Sequence, residues 1–294
     1  MRRVFISIAY VVAMALPFVG YGAEPLFEYP QIPDQLTKVN LRSNFMINSM
    51  WDDCKLDKET ITNIESFRET FTDYISFFPL ADVDEVDKSV KKFVDKVAKN
   101  EGNLNTVAGF IDTEIYNPMS QFCSDDMYLI FARHLLDNKK VDGNLKNKIE
   151  ENVTKINNSR INSVFGDINL QKNGVDAGSL HSLQSQYTVL IFNVDGDFDT
   201  SIYKLRLSTD VATNNLIKSG AVNVVSVYSD RSQDRDGDAD SWLTATVPGM
   251  GRLYDMRILP CVYMLGADKK IIVKCPDIDQ VLSLMAQLGN ALGV

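Results

Sequence analysis

The second half of the chain follows an order of strands and helices that constrains the fold more than any other feature. An apolar run of strand length, Tyr187–Asn193, leads into a helical pattern at 203–218 and then into a β-branched run, Ala221–Tyr228. An acidic loop, a further helical pattern, two strands flanking the Gly266–Lys270 turn and a last helix follow. This order predicts an α/β sheet whose parallel strands are joined by right-handed crossovers and closed by an antiparallel hairpin.

The N-terminus has the layout of a secretory signal peptide over residues 1–23. Arg2 and Arg3 precede an apolar run, Val4–Val19, and Gly20-Tyr-Gly-Ala follows it. The run is too short for a stable membrane span. We therefore expect an exported mature chain, periplasmic or extracellular, without a stable membrane span.

The charge of the chain argues against two kinds of partner. The formal net charge is -9, and it becomes -11 without the leader, because the leader carries two arginines and no acid. Nucleic acids and anionic lipid surfaces attract clustered Lys and Arg, so neither is expected to bind.

The first half of the mature chain is predicted to be an all-α helical domain, residues 24–160, followed by an α/β domain, residues 161–294. Apolar residues recur at steps of three and four in Thr60–Ile75, Val86–Val97 and Asp125–Leu136. These stripes are typical of core packing. Asn173-Gly174 is a strong turn signal and favours a short hairpin at the approach to the second domain.

Several short motifs carry a resemblance to a known family. They are Ile258-Leu-Pro260, Phe27-Glu-Tyr-Pro30, Met50-Trp-Asp52, Ile115-Tyr-Asn-Pro118 and Ser179-Leu-His-Ser-Leu183. With them the chain resembles secreted proteins of Bacteroidetes-type bacteria that fuse a helical domain of unknown function to a thioredoxin-like domain of the cytochrome-maturation type. The resemblance covers most of the mature chain and implies a thioredoxin-like fold for its second half.

The resemblance also implies where a redox motif belongs, and this sequence departs from it there. Asp197 and Thr200 stand where such a domain carries the two cysteines of Cys-x-x-Cys. A carboxylate and a hydroxyl cannot exchange disulfides, so no catalytic role is expected for either residue. Asp197 is better explained as the N-cap of the following helix, since aspartate is among the preferred residues there.

Leu259 and Pro260 stand where the resemblance implies a second feature of the fold, a cis-proline. By the resemblance their peptide bond is cis, which exposes backbone that can pair with an extended peptide. A purely structural role for the proline explains its presence equally well.

Cys261 and Cys275 form the cysteine pair most open to prediction. If Leu265 and Ile271 are partners across the turn, the antiparallel register places Cys261 opposite Cys275 and permits a cross-strand disulfide. We expect a structural bridge rather than a redox-active one, because no basic side chain is predicted to activate a thiolate there. Redox chemistry stays open as an alternative, since Cys261 follows the expected cis-proline directly.

Two acidic runs offer hard oxygen ligands, which calcium prefers. Their carboxylates are Asp195, Asp197, Asp199, Asp234, Asp236 and Asp238. The second run fails as an EF-hand, because Ala239 and Ala245 replace the glycine and the bidentate glutamate. Calcium bridging of the two runs is a hypothesis, and solvated loops are the simpler explanation.

These observations predict an exported thioredoxin-fold protein that serves as a non-catalytic binding or scaffold module for an unidentified peptide or protein partner, without a cofactor. One alternative is an atypical thiol-disulfide oxidoreductase that uses Cys261 and Cys275, and another is a cation-binding structural protein. The sequence leaves open whether Cys54 and Cys123 are paired.

Overall fold

The computed structural model describes residues 24–230 and 237–294; the predicted signal peptide lies outside these ranges. The first half is helical. Its helices are α1 (Val39–Ser49), α2 (Ile64–Ser76), α3 (Val83–Val97), α4 (Glu101–Phe110), α5 (Asp125–Asp137) and α6 (Gly143–Asn158). A π-helical turn, Ile111–Tyr116, extends α4.

Local side-chain hydrogen bonds fix where these helices begin. Asn63 caps α2 by accepting from the backbone N–H of Ser66, and Ser124 caps α5 by accepting from Met127 N–H. The apolar stripes face a common core whose centre is Trp51. The rings around it belong to Phe27, Phe67, Tyr74 and Phe93.

The second half forms a mixed sheet with helices packed on it. Its strands are β1 (Asn169–Lys172), β2 (Val175–Ser179), β3 (Tyr187–Phe192), β4 (Val222–Tyr228), β5 (Leu243–Thr246), β6 (Cys261–Gly266) and β7 (Ile271–Lys274). Its helices are α7 (Phe198–Thr209), α8 (Val211–Lys218), α9 (Met250–Leu253) and α10 (Ile278–Leu292). The strand order within the described residues is β2-β1-β5-β4-β3-β6-β7.

The predicted α/β order is confirmed in outline and corrected in two places. β3 lies parallel to β4, and β6 and β7 form the closing antiparallel hairpin. The helix predicted over 203–218 is two helices, because Asp210 ends α7 with extended backbone and caps α8 through Thr213 N–H. The sequence pattern also missed β5, which is only four residues long and pairs with β4.

The sheet buries both faces, and successive residues of each central strand alternate between them. Cys261 and Tyr263 of β6 face one core, whereas Val262 and Met264 face the core beneath α7, α8 and α10. In the described part of the chain, no helix is both long enough and apolar enough to cross a lipid bilayer.

Candidate functional site

The carboxyl end of β3 and the start of β6 meet at one edge of the sheet, where Phe192 pairs with Cys261. The Leu259–Pro260 peptide bond just before β6 is cis. Leu259 is 44% exposed and Ile258 is 47% exposed. In the region that the structure describes, neither backbone polar group of Leu259 has a hydrogen-bond partner. This edge therefore offers apolar side chains together with open backbone.

The positions expected to replace the redox cysteines form a helix cap. Asp197 is the N-cap of α7 and accepts a hydrogen bond of 3.2 Å from Asp199 N–H. The hydroxyl of Thr200, which is buried, donates to the same carboxylate. The arrangement gives a backbone N–H group in the first turn of α7 a hydrogen-bond partner. It contains no nucleophile suited to disulfide exchange.

The predicted register of the cysteine pair is wrong by one residue. Leu265 does pair with Ile271, but a β-bulge at Ile272 shifts every later partner, so the N–H of Cys275 donates to the carbonyl of Val262. Cys275 also has a φ of 47°, in the left-handed region that residues other than glycine rarely adopt. The side chain consequently contacts the same core as Cys261.

Both residues are free thiols; the Cys261 thiol donates to the carbonyl of Asp255, and the Cys275 thiol donates to the carbonyl of Ile258. Interaction with the Cys275 side chain and burial raise the pKa of the Cys261 thiol well above its usual value. Interaction with the Cys261 side chain lowers the pKa of Cys275, which is half-buried, and the positive charge of Lys274 acts in the same direction. The expectation that no basic side chain would lie near the pair is therefore wrong. A disulfide between the two residues stays a prediction.

A cluster of four charged residues joins this site to the helical domain. Arg257 donates to Asp255 and to Asp125 of α5, at 2.7 and 2.6 Å. Lys274 also pairs with Asp255, which is only 3% exposed. The backbone carbonyl of Asp255 accepts from the Cys261 thiol at 3.6 Å. We call Asp125, Asp255, Arg257 and Lys274 the Asp255 cluster.

A second buried polar group lies beneath the helix cap. Lys204 of α7 is 2% exposed and pairs with Asp238 at 2.8 Å. Its ammonium group also donates to Asn193 and to the hydroxyl of Tyr228. This site was not predicted from the sequence, although Lys204 follows Tyr203 on the buried face of α7 and gave a signal for it.

One of the predicted calcium ligands, Asp238, takes part in this ion pair. Asp238 is bound to Lys204 and accepts from Tyr228, so its carboxylate is already neutralised. Asp234 and Asp236 lie outside the described residues. Within 24–230 and 237–294, no group of three or more His, Cys, Asp or Glu side chains could hold a metal ion.

The other two cysteines lie in the helical domain and in different surroundings. Cys54 is partly buried against the core around Trp51. Cys123 is exposed, and its thiol lies 3.9 Å from the carbonyl of Tyr116. The same carbonyl accepts a 2.6 Å hydrogen bond from Arg257. Cys123 thus lies at the border of the Asp255 cluster.

Comparison with solved structures supports the fold. A thioredoxin-like protein from Bacteroides caccae superposes with a TM-score of 0.66 at 18% identity, covering 90% of this chain and 99% of its own. The thioredoxin domain of a thiol-disulfide oxidoreductase from Bacteroides vulgatus matches at 15% identity with a TM-score of 0.35, over 44% of this chain and 97% of its own. The superposition on the Bacteroides caccae protein and the observed elements confirm the fold class: a helical domain precedes a thioredoxin-like α/β domain.

Sequence comparison places the chain in a family. No curated protein matches it. The profile of a domain of unknown function, DUF5106, matches residues 11–159, which is just over half of the chain. This protein therefore belongs to the DUF5106 family, and in it the helical domain is joined to a thioredoxin-like domain.

Proposed function

We propose that the thioredoxin-like domain performs thiol–disulfide exchange through Cys275 and Cys261 instead of through the start of α7. The observation that carries this proposal is that the two free thiols lie against one core beside the cis-proline, with Cys261 buried and Cys275 partly exposed. Their pKa values are displaced in opposite directions, since Cys261 is raised and Cys275 is lowered. A dithiol with one accessible, acidic thiol and one buried partner has the chemistry of a redox pair.

The exchange would proceed in two balanced steps. The Cys275 thiolate attacks a sulfur of a substrate disulfide, forms a mixed disulfide and expels one substrate thiolate. Cys261, after losing its proton, then attacks the sulfur of Cys275 and expels the second substrate thiolate. The substrate disulfide is reduced to two thiols while the pair is oxidised to a disulfide, and a low-molecular-weight thiol restores the reduced pair.

The first test is redox titration of the full mature chain, followed by site-resolved alkylation and mass spectrometry. We expect the disulfide between Cys261 and Cys275 to be reduced at a potential above about -300 mV, where exchange-active disulfides are found. Circular dichroism should remain that of the folded protein throughout. Insulin reduction driven by dithiothreitol should exceed the uncatalysed rate.

Two serine variants make this test specific. Cys275→Ser should return insulin reduction to the uncatalysed rate, whereas Cys54→Ser should not change it, because Cys54 lies in the core of the helical domain. A bridge that resists reduction until the protein unfolds would show a structural disulfide and would contradict the exchange proposal.

The same edge also favours a second function, the binding of an extended peptide without catalysis. The observation behind it is the open backbone of Leu259 together with the exposed apolar side chains of Ile258 and Leu259. An added strand would satisfy the backbone groups, and the apolar side chains would bury part of its surface.

This binding function predicts a site-specific loss of affinity. The probe is a fluorescent, cysteine-free decapeptide of alternating Val and Thr, and polarisation measures its dissociation constant. Leu259→Lys should weaken binding by about tenfold, as loss of one apolar anchor does. Leu292→Lys is the matched control, because Leu292 is also 44% exposed but lies at the end of α10. Equal losses in both variants would contradict binding at this edge.

A further inference from the structure

The Asp255 cluster balances two cations against two carboxylates that come from different domains. Asp255 lies in the segment before β6, and Asp125 is the first residue of α5 in the helical domain. Arg257 bridges both carboxylates, and Lys274, while paired with Asp255, lies 3.9 Å from Asp125. The two domains therefore share one charge-neutral cluster.

Arg257 makes several contacts with the helical domain. Its guanidinium lies 4.1 Å above the ring of Tyr116, and it donates 2.6 Å hydrogen bonds to Tyr116 O and to Asp125. The Arg257 side chain is only 14% exposed. Further interdomain hydrogen bonds flank the cluster, from Asp255 N–H to Ser159 and from the Asn158 amide to Leu253 O.

The cluster lies directly against the thiol pair. Lys274 precedes Cys275 in the chain, the carbonyl of Asp255 contacts the Cys261 thiol, and the carbonyl of Ile258 contacts the Cys275 thiol at 3.9 Å. The titratable and charged groups that face Cys275 or border this cluster are Cys261, Tyr263, Lys274, Asp255, Arg257, Tyr203, Asp277, Asp125, Cys123, Tyr116 and Tyr128. Among them, Asp125, Cys123, Tyr116 and Tyr128 belong to the helical domain.

We propose that the helical domain restrains the thiol pair electrostatically, with Asp125 neutralising cations that would otherwise favour the Cys275 thiolate. This inference rests on the exchange function proposed above. Without Asp125, Arg257 and Lys274 share only Asp255, and the cluster carries a net positive charge. A nearby positive charge stabilises a thiolate, so removal of Asp125 makes Cys275 more reactive. Asp125 and Arg257 act here as positioning residues, and their charges affect the stability of the Cys275 thiolate in opposite directions.

The direction in which each variant changes the reactivity of Cys275 tests this proposal. The reduced full-length mature chain is alkylated with iodoacetamide across pH 5 to 10, and the rate at Cys275 is followed by mass spectrometry. For Asp125→Asn we expect the titration midpoint to move to lower pH and the rate at pH 7 to rise about threefold. For Arg257→Gln we expect a shift to higher pH and a fall of about the same size.

Two controls separate charge from loosened packing. Asp126→Asn makes the same charge change one residue later on α5, but Asp126 pairs with the exposed Arg160, so the Cys275 profile should not move. Asp125→Glu keeps the charge and should preserve the wild-type profile. Circular dichroism shows whether each variant is folded.

Opposite shifts in Asp125→Asn and Arg257→Gln, with no shift in the two controls, support the proposal. Shifts of the same sign in both variants, no shift in either, or an equal shift in Asp126→Asn would overturn it. The exchange function is tested separately by the redox titration and insulin assay of the wild type. If the wild type fails the redox titration and the insulin assay while the two variants still shift the alkylation profile in opposite directions, the charge coupling stands and only the exchange function is removed.

Discussion

Replacing Lys204 by methionine should lower the free energy of unfolding by about 3–5 kcal/mol, because it leaves the Asp238 carboxylate uncompensated in a buried setting. Lys204 is 2% exposed and Asp238 is 12% exposed at the side chain. Methionine has nearly the same helix propensity as lysine and a similar length, so helix formation and volume change little. The loss therefore reports mainly on the charge and the hydrogen bonds of the Lys204 ammonium group.

Urea unfolding followed by circular dichroism gives this quantity. Lys218→Met is the matched control, since Lys218 is an exposed lysine at the end of α8, and it should shift the free energy by less than about 0.5 kcal/mol. The double variant Lys204→Met/Asp238→Asn should recover part of the loss, because a neutral amide can still accept from Tyr228. No recovery would show that lost packing, and not the orphaned charge, dominates.

Asp255→Asn should lower the free energy of unfolding by about 3 kcal/mol, because it removes the anion that Arg257 and Lys274 share. The asparagine can accept one hydrogen bond but cannot neutralise two cations. Asp126→Asn on the surface should cost less than about 1 kcal/mol in the same urea titration, since its ion pair with Arg160 is exposed.

The effect of Asp255 should also depend on pH in a defined direction. Burial alone would raise the pKa of Asp255, but hydrogen bonds from Arg257 and Lys274 lower it from 3.8 to about 2. The unfolded chain therefore binds this proton first as the pH falls, and the stabilisation is complete above about pH 5 and is lost towards pH 2. A shift of this size corresponds to about 2 kcal/mol.

Urea titrations at pH 5, 4, 3 and 2 test this dependence. The difference between wild type and Asp255→Asn should shrink by about 2 kcal/mol over that range. A difference that stays constant with pH would mean that the variant acts through packing and not through the charge of the carboxylate.

The local elements follow from the sequence because their signals are local. The apolar and β-branched runs of β3 and β4, the three-and-four periodicity of α3, and the Asp197 cap each depend on residues a few positions apart. The missing Cys-x-x-Cys is likewise a sequence property, and no folding event can restore it. Short β5 was missed because four residues give too little periodicity.

The register at the cysteines was decided by tertiary structure. A single bulge residue, Ile272, moves Cys275 from the partner position of Cys261 to that of Val262. Pro276 disfavours a helical backbone at Cys275 and gives no hint of its left-handed φ. The Cys275 side chain packs against the core that contains Cys261 in the presence of both the bulge and this backbone conformation.

The two buried charge groups also depend on contacts far apart in the chain. Asp238 reaches Lys204 across 34 residues, and Asp125 reaches Arg257 across 132. No periodicity in one segment encodes such a pairing, since the energy that selects it comes from desolvated charges that meet only after both domains have folded. Local sequence patterns thus predict the fold class, and the sequence contains no Cys-x-x-Cys. Tertiary structure decided which thiols and which charges share a site.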